Sequence, residues 1–254
     1  MILSRLNKNL KEQNWFAVLL EIVIVVIGLL IAFQIDRWYE QAQENKREVS
    51  YLERLNENLS GDLRGMNLNL EFYEKVFDYG QLALAFGEGD NPEATNWEVL
   101  VALFHSSQIW ELISSPSTYE ELKSAGELSL IRSITLRNDM VYYYGAGFER
   151  YKQTIGINPP YRKMVRGLIP NQIQNYLWEN CHETEIDTQI LKNCDPAISN
   201  EQAKEIINNI IEHPDLVGEL RFYMSSIKVG LDPLKEQMKL SKKMIAEIED
   251  QLGK

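Results

Sequence analysis

The chain has 254 residues, 44 % of them hydrophobic and 25 % charged, which is the balance of a globular protein rather than a disordered one. Its net charge of −11 argues against a nucleic-acid binder, because such proteins gain affinity by neutralising phosphates with Lys and Arg. Two cysteines, Cys181 and Cys194, are too few for a disulfide-dense scaffold and lack the paired spacing of a zinc ribbon.

Residues 15–35 are apolar except for Glu21 and Gln34. At about 1.5 Å per residue they would reach roughly 31 Å as a helix, the thickness of a bilayer's hydrocarbon core. Trp15 at one end and Trp38-Tyr39 at the other sit where amphipathic rings favour the headgroup layer. Before the span, Arg5, Lys8 and Lys11 outweigh Glu12; after it, residues 36–48 carry three cations against four carboxylates. Basic flanks resist translocation, so residues 1–14 are expected in the cytoplasm and the remainder outside it. A cleaved signal peptide is the competing reading, but the apolar run is long for one and no small-x-small site precedes Asp36. Export to an oxidising compartment would make a Cys181–Cys194 disulfide the default state.

Glu21 shares a helical stripe with Ala17, Gly28 and Ala32, where small residues let another helix approach. A carboxylate inside a span costs up to roughly 3 kcal/mol, so it faces protein, pairs with a partner or takes a proton. The alternative is a carboxylate near enough to the interface to reach water.

Past the membrane, Val49, Leu52, Leu55, Leu59, Leu63, Met66, Leu70, Tyr73, Phe77 and Leu84 recur at steps of three, four or seven, predicting an amphipathic stalk helix over 36–86. Gly87 to Pro92 is a turn-forming cluster that ends it. Further helices are predicted from Trp97 to about Leu112, from a capping-box pattern at Ser117–Glu120 to Gly126, and from Thr135 through Tyr151. Tyr142, Tyr143 and Tyr144 in the last of these read as core. Pro159-Pro160 marks a break, Pro170 opens another helix, and residues 180–199 read as a polar loop. Ser199–Gln202 is a second capping-box pattern. From Leu216 to Leu252 the apolar spacing is strongly helical, with Asp232-Pro233 expected to kink or split it. The class is therefore all-α: one N-terminal transmembrane helix, a stalk, and a helical extracytoplasmic domain over 87–254 whose last long helix packs back on the stalk in coiled-coil fashion.

Glu21-Ile22, then Val25 through Ala32, Gln34-Ile35 and Trp38, resembles the N-terminal signature of a widespread family of uncharacterised bacterial single-pass membrane proteins, a domain of unknown function. Tyr51–Leu55 with Leu59 and Asp62-Leu63, and Thr118–Gly126 with Leu128, Leu130-Ile131, Leu136-Arg137 and Tyr143-Tyr144, are similar to it as well. The likeness covers roughly the first 150 residues. It departs mildly at Asp36, where members often carry Asn, and at Ala125, where Ser is common. What the resemblance implies is an anchor with a helical extracytoplasmic domain, and no activity.

Only His105, His182 and His213 could serve a histidine-based centre, and His105 and His213 read as structural. Cys181, His182, Glu183, Asp187 and Cys194 could be drawn as metal ligands, yet two thiolates and one imidazole fall short of a closed set. No phosphate loop, nucleophile elbow or HExxH occurs. The expectation is a non-enzymatic signal-anchored protein of the bacterial inner membrane, without metal or cofactor. Its partners would be the lipid bilayer, further copies of itself and an unidentified membrane or periplasmic protein. A proton- or ion-coupled accessory subunit using Glu21, and a sensory ectodomain with a transducing partner, are the alternatives.

Overall fold

The structure, a computed structural model, describes residues 15–90, 92–155, 158–185 and 188–253. Residues 1–14, whose basic flank carries the expected orientation, lie outside the described residues, as does Asp187. The chain divides into two compact units, Met1–Leu52 and Glu53–Lys254.

In the first unit the backbone is a single helix, the beginning of α1 (Trp15–Gly87). It contains a stretch long and apolar enough to cross a membrane. Most of its side chains are exposed, Ile24, Phe33 and Ile35 each by more than 60 %; Val18 is buried and Ala17 and Glu21 are half-buried.

In the second unit α1 continues to Gly87, where Gly89 at φ +91° reverses the chain. The other helices are α2 (Asn96–His105), α3 (Ser117–Ser124), α4 (Ile134–Tyr142), α5 (Phe148–Ile155), α6 (Pro160–Leu168), α7 (Asn171–Asn180), α8 (Asn200–Ile211) and α9 (Leu216–Leu252). A hairpin of β1 (His182–Thr184) and β2 (Gln189–Leu191) pairs antiparallel, with Glu183 opposite Ile190. The fold is all-α, as expected.

The buried face of α1 comprises Leu55, Leu59, Asp62, Met66, Asn69, Tyr73, Val76, Gly80 and Ala83, alternating steps of three and four. Along α9 the same alternation holds for Leu216, Leu220, Tyr223, Ile227, Gly230, Leu234, Gln237, Ser241, Met244 and Ile248. The two helices run antiparallel: Ser241 Oγ donates to the Leu59 carbonyl, Lys235 pairs with Glu74, the Met224 side chain fills the space over Gly80, and Arg221 binds Glu88. Gly147 and Gly230 let α9 approach the other side of the core closely, since a Cβ at either would stand 2.4 Å or less from Gln237 or Ile155 side-chain atoms.

Several boundaries depart from the sequence reading. Helix α2 ends at His105 instead of Leu112, because Ser106 and Ser107 turn their hydroxyls back onto the Leu103 and Phe104 carbonyls and the chain leaves extended. Its start is a capping box of Thr95 and Glu98, whose N-cap Thr95 lies two residues ahead of the expected start at Trp97. At α3 the Ser117–Glu120 box does not form; Pro116 is the N-cap, Ser117 is already helical, and Thr118 Oγ1 donates to Asn58 Oδ1 at 2.6 Å instead. Gly126 closes α3 in a Schellman motif, with Glu127 N–H on Leu122 O and Gly126 N–H on Lys123 O. The helix expected over 135–151 is interrupted by a π turn at Tyr143–Gly147. Pro233 does not split α9, which is continuous from Leu216 to Leu252. The Ser199–Gln202 box caps α8 as expected.

Candidate functional site

Between α2 and α3 the chain crosses the second unit as an extended strap, residues 106–116, and a row of polar side chains holds it down. Asp62 and Asn69 stand seven residues apart on the buried face of α1, 3 % and 1 % exposed. Such positions ordinarily take Leu or Val, so each polar group needs a partner. Asp62 Oδ1 accepts the Ser115 amide at 2.7 Å and Oδ2 accepts the Tyr143 hydroxyl at 3.2 Å. Asn69 Nδ2 donates to the Trp110 carbonyl at 3.1 Å, and its Oδ1 accepts the Tyr151 hydroxyl. Tyr73, four residues on, meets Trp110 too, donating to its carbonyl and accepting from its amide at 3.2 Å each. From α9, Tyr223 donates to Gln108 O at 3.2 Å.

Burial dominates the electrostatics here. Removal from water pushes Asp62 up to about 6, against the opposing pull of the Ser115 amide and the Tyr143 hydroxyl. Burial likewise pushes Tyr73 up to about 12, and raises Tyr143, Tyr144 and Tyr151 further, so these phenols stay protonated; Tyr73, Tyr143 and Tyr151 are the donors, while the Tyr144 hydroxyl has no partner among the described residues. A cleft of about 330 Å³ opens beside the strap, lined by Gly61, Asp62, Gly65, Trp110 and Ile113 among others. One carboxylate flanked by phenols and an amide can hold or release a proton. No nucleophile–base pair accompanies it among the bonded groups described.

Of the residues singled out from sequence, Ala17 and Glu21 are half-buried, and Gly28 and Ala32 are exposed with open space around Gly28. Glu21 Oε2 has no hydrogen-bond partner among the described residues. Trp15, Trp38 and Tyr39 are 70 %, 77 % and 62 % exposed. Cys181 and Cys194 are joined in a disulfide with Cα atoms 5.1 Å apart. That bridge consumes the two thiols weighed as metal ligands, and no group of three His, Cys, Asp or Glu among the described residues could hold a metal. His105 is fully buried, its Nε2–H donating to Lys192 O at 3.2 Å, and burial holds it down near 4.

Apolar periodicity alone does not mark the polar pegs Asp62, Asn69 and Tyr73 as a site. Their signal was available: polar residues seven apart, interleaved at steps of three and four with Leu55, Leu59, Met66 and Val76.

No curated protein and no solved structure matches this chain. Residues 21–151, about half of the chain and including Asp62, Asn69, Tyr73, the strap and Tyr143, match the model of a family of unknown function (DUF6090), and the chain belongs to that family.

Proposed function

We propose that this chain is a single-pass membrane anchor whose helical domain binds a partner protein or scaffolds an assembly, and that it catalyses no reaction. Its short N-terminal tail stays in the cytoplasm and its mass lies in the periplasm of a bacterial envelope. The observation that carries this reading is the exposure of the apolar N-terminal stretch of α1, residues 15–35. A core helix of a soluble protein would be mostly buried, whereas here Leu19, Ile24, Leu30 and Phe33 are each more than half exposed. Water does not tolerate so long an apolar surface, and a bilayer does. The helix runs without a break through Asp36, which supports an anchor over a removable leader. The Cys181–Cys194 bridge fits an oxidising compartment. Ala17, Glu21, Gly28 and Ala32 supply a face on which copies of the span, or another membrane helix, can pack.

Fractionation and fusion test this together. An alkaline phosphatase fused after Lys254 should be active, and carbonate washing should leave the chain in the membrane pellet. Crosslinking in intact membranes should then trap a second protein or a second copy. An inactive phosphatase reverses the orientation, and extraction by carbonate removes the anchor.

A further inference from the structure

Among the described residues of the second unit, one cluster of cations forms no ion pair with a carboxylate. Ser107, where the strap begins, receives two guanidinium groups: Arg162 Nη1 donates to its carbonyl at 2.6 Å and Arg166 Nε to its hydroxyl at 2.7 Å. Both come from α6, one turn apart, and Lys163 lies between them in sequence. Arg166 is held rigidly, its guanidinium carbon 3.8 Å from the Phe104 ring centre and 5.0 Å from that of Trp178, while its Nη2 is shut off from solvent with no acceptor. Among the described residues no Asp or Glu forms an ion pair with Arg162, Lys163 or Arg166, although the chain as a whole carries −11. The consequences reach the neighbours. Burial first, and Arg162 second, pull Arg166 down to about 9; Arg166 in turn adds to the burial that depresses His105 and His182.

A solvated basic face does not look like this, because solvated side chains spread apart and keep their charge in water. Two fixed, partly desolvated guanidiniums side by side repel each other, and a bound anion would relieve both the repulsion and the desolvation. Room for one exists. A cleft of about 680 Å³ is lined by Pro159, Pro160, Arg162, Lys163, Arg166 and Gln174 with Asn158, within the roughly 300–1,000 Å³ of small-molecule sites. Next to it, sharing Asn158, Pro159 and Pro160, a second cleft is floored by the exposed ring of Phe222.

We propose that this cleft binds a phosphate-bearing organic ligand, its phosphate on Arg162, Lys163 and Arg166 and its organic body along Pro159-Pro160 toward Phe222. Three cations match a doubly charged phosphate better than a single carboxylate, and the apolar floor is more than inorganic phosphate would use. A soluble phosphate ester and a phospholipid headgroup share this chemistry. The site stands whether or not α1 spans a membrane.

The test uses the full-length protein in neutral-detergent micelles, with thermal unfolding and titration calorimetry at constant ionic strength. Phenyl phosphate should bind saturably and raise the midpoint, with inorganic phosphate weaker and acetate inert. Lys163→Glu and Arg162→Gln should each weaken phenyl phosphate about tenfold or more, as loss of a charge partner does, while Lys242→Glu, on an exposed stretch of α9, should not. Micelles doped with phosphatidylglycerol form the second arm: stabilisation there without phenyl phosphate binding assigns the site to a lipid headgroup. No saturable effect in either arm overturns the proposal. So does binding that survives both Lys163→Glu and Arg162→Gln.

Discussion

Asp62 and His105 pull stability in opposite directions across the same pH window, and removing either should expose the other. Asp62 lies at about 6 in the folded chain against about 3.9 for a free aspartate, so the folded state binds more protons than the unfolded one between those values. Its contribution is therefore complete below about pH 4 and is lost as pH rises through 6. A shift of two units corresponds to roughly 3 kcal/mol. His105 lies near 4 against about 6.5, so the unfolded state binds the extra proton. Its contribution is complete above about 6.5 and is lost as pH falls through 4, by an amount that is again roughly 3 kcal/mol. In the natural chain these two slopes offset each other. Asp62→Asn keeps an acceptor for the Ser115 amide and resembles the protonated acid, so it should raise stability at pH 7.5 by about 1–2 kcal/mol after some weakening of the Tyr143 contact. Its stability should then climb from pH 4 to 6.5. His105→Gln keeps a donor for Lys192 O and should do the reverse, losing stability over that window. Denaturant unfolding of the full-length protein in detergent, followed by circular dichroism from pH 4 to 8, measures both. Differences between variant and natural profiles cancel the other titrating groups. Parallel profiles, or an Asp62→Asn chain that is less stable than the natural one at pH 7.5, would refute the reasoning.

Gly230→Ala should cost about 1–3 kcal/mol in overpacking, less about 1 kcal/mol regained in helix propensity. Its new Cβ would stand 2.4 Å from Ile155 Cγ1, whereas Gly218→Ala in the same helix meets nothing within 4 Å and should be neutral or stabilising; equal midpoints for the two would show that the α5–α9 approach is looser than described. Cys181→Ser opens a loop with a sequence separation of 13 and should lower stability by about 3 kcal/mol, with a mobility change on non-reducing gels that Cys194→Ser reproduces and the double variant does not exceed. Thiol labelling of the natural chain in intact cells would count against the bridge.

Periodicity carried the fold because helices report themselves through apolar spacing. The stop at Gly87, the capping box at Ser199, the Schellman end at Gly126 and the all-α class were legible for that reason. The errors fall where a second interaction overrode a local preference. Ser117 to Glu120 has the letters of a capping box, but Thr118 is claimed by Asn58 and the helix starts one residue early. Pro233 lacks an amide proton, and of the two outcomes expected there, a kink or a split, the split does not occur: the packed flanks of α9 hold the helix together on both sides. The π turn at Tyr143–Gly147 adds a residue to one turn and so brings Gly147 and Tyr151 onto the buried face that Leu136, Met140 and Tyr143 begin, a tertiary demand that no short window contains.

The candidate site escapes a search for apolar residues alone, for a related reason. A stripe read for apolar residues alone picks Leu63, Leu70 and Phe77, which are half-buried, and steps over Asp62, Asn69 and Gly80, which are buried. The face that packs is defined by steps of three and four, whatever the side chain, and here it alternates oily layers with hydrogen-bonding ones. Polar residues at such positions weaken a helix pair but penalise every register that leaves them unpaired. Asp62 and Asn69 meet the strap at Ser115 and Trp110, and seven residues of helix, about 10 Å, set the span over which an irregular segment is held at two points. The polar positions that make α1 a poorer apolar stripe are thus the ones that bind the strap at Trp110 and Ser115, the same strap whose Ser107 receives Arg162 and Arg166.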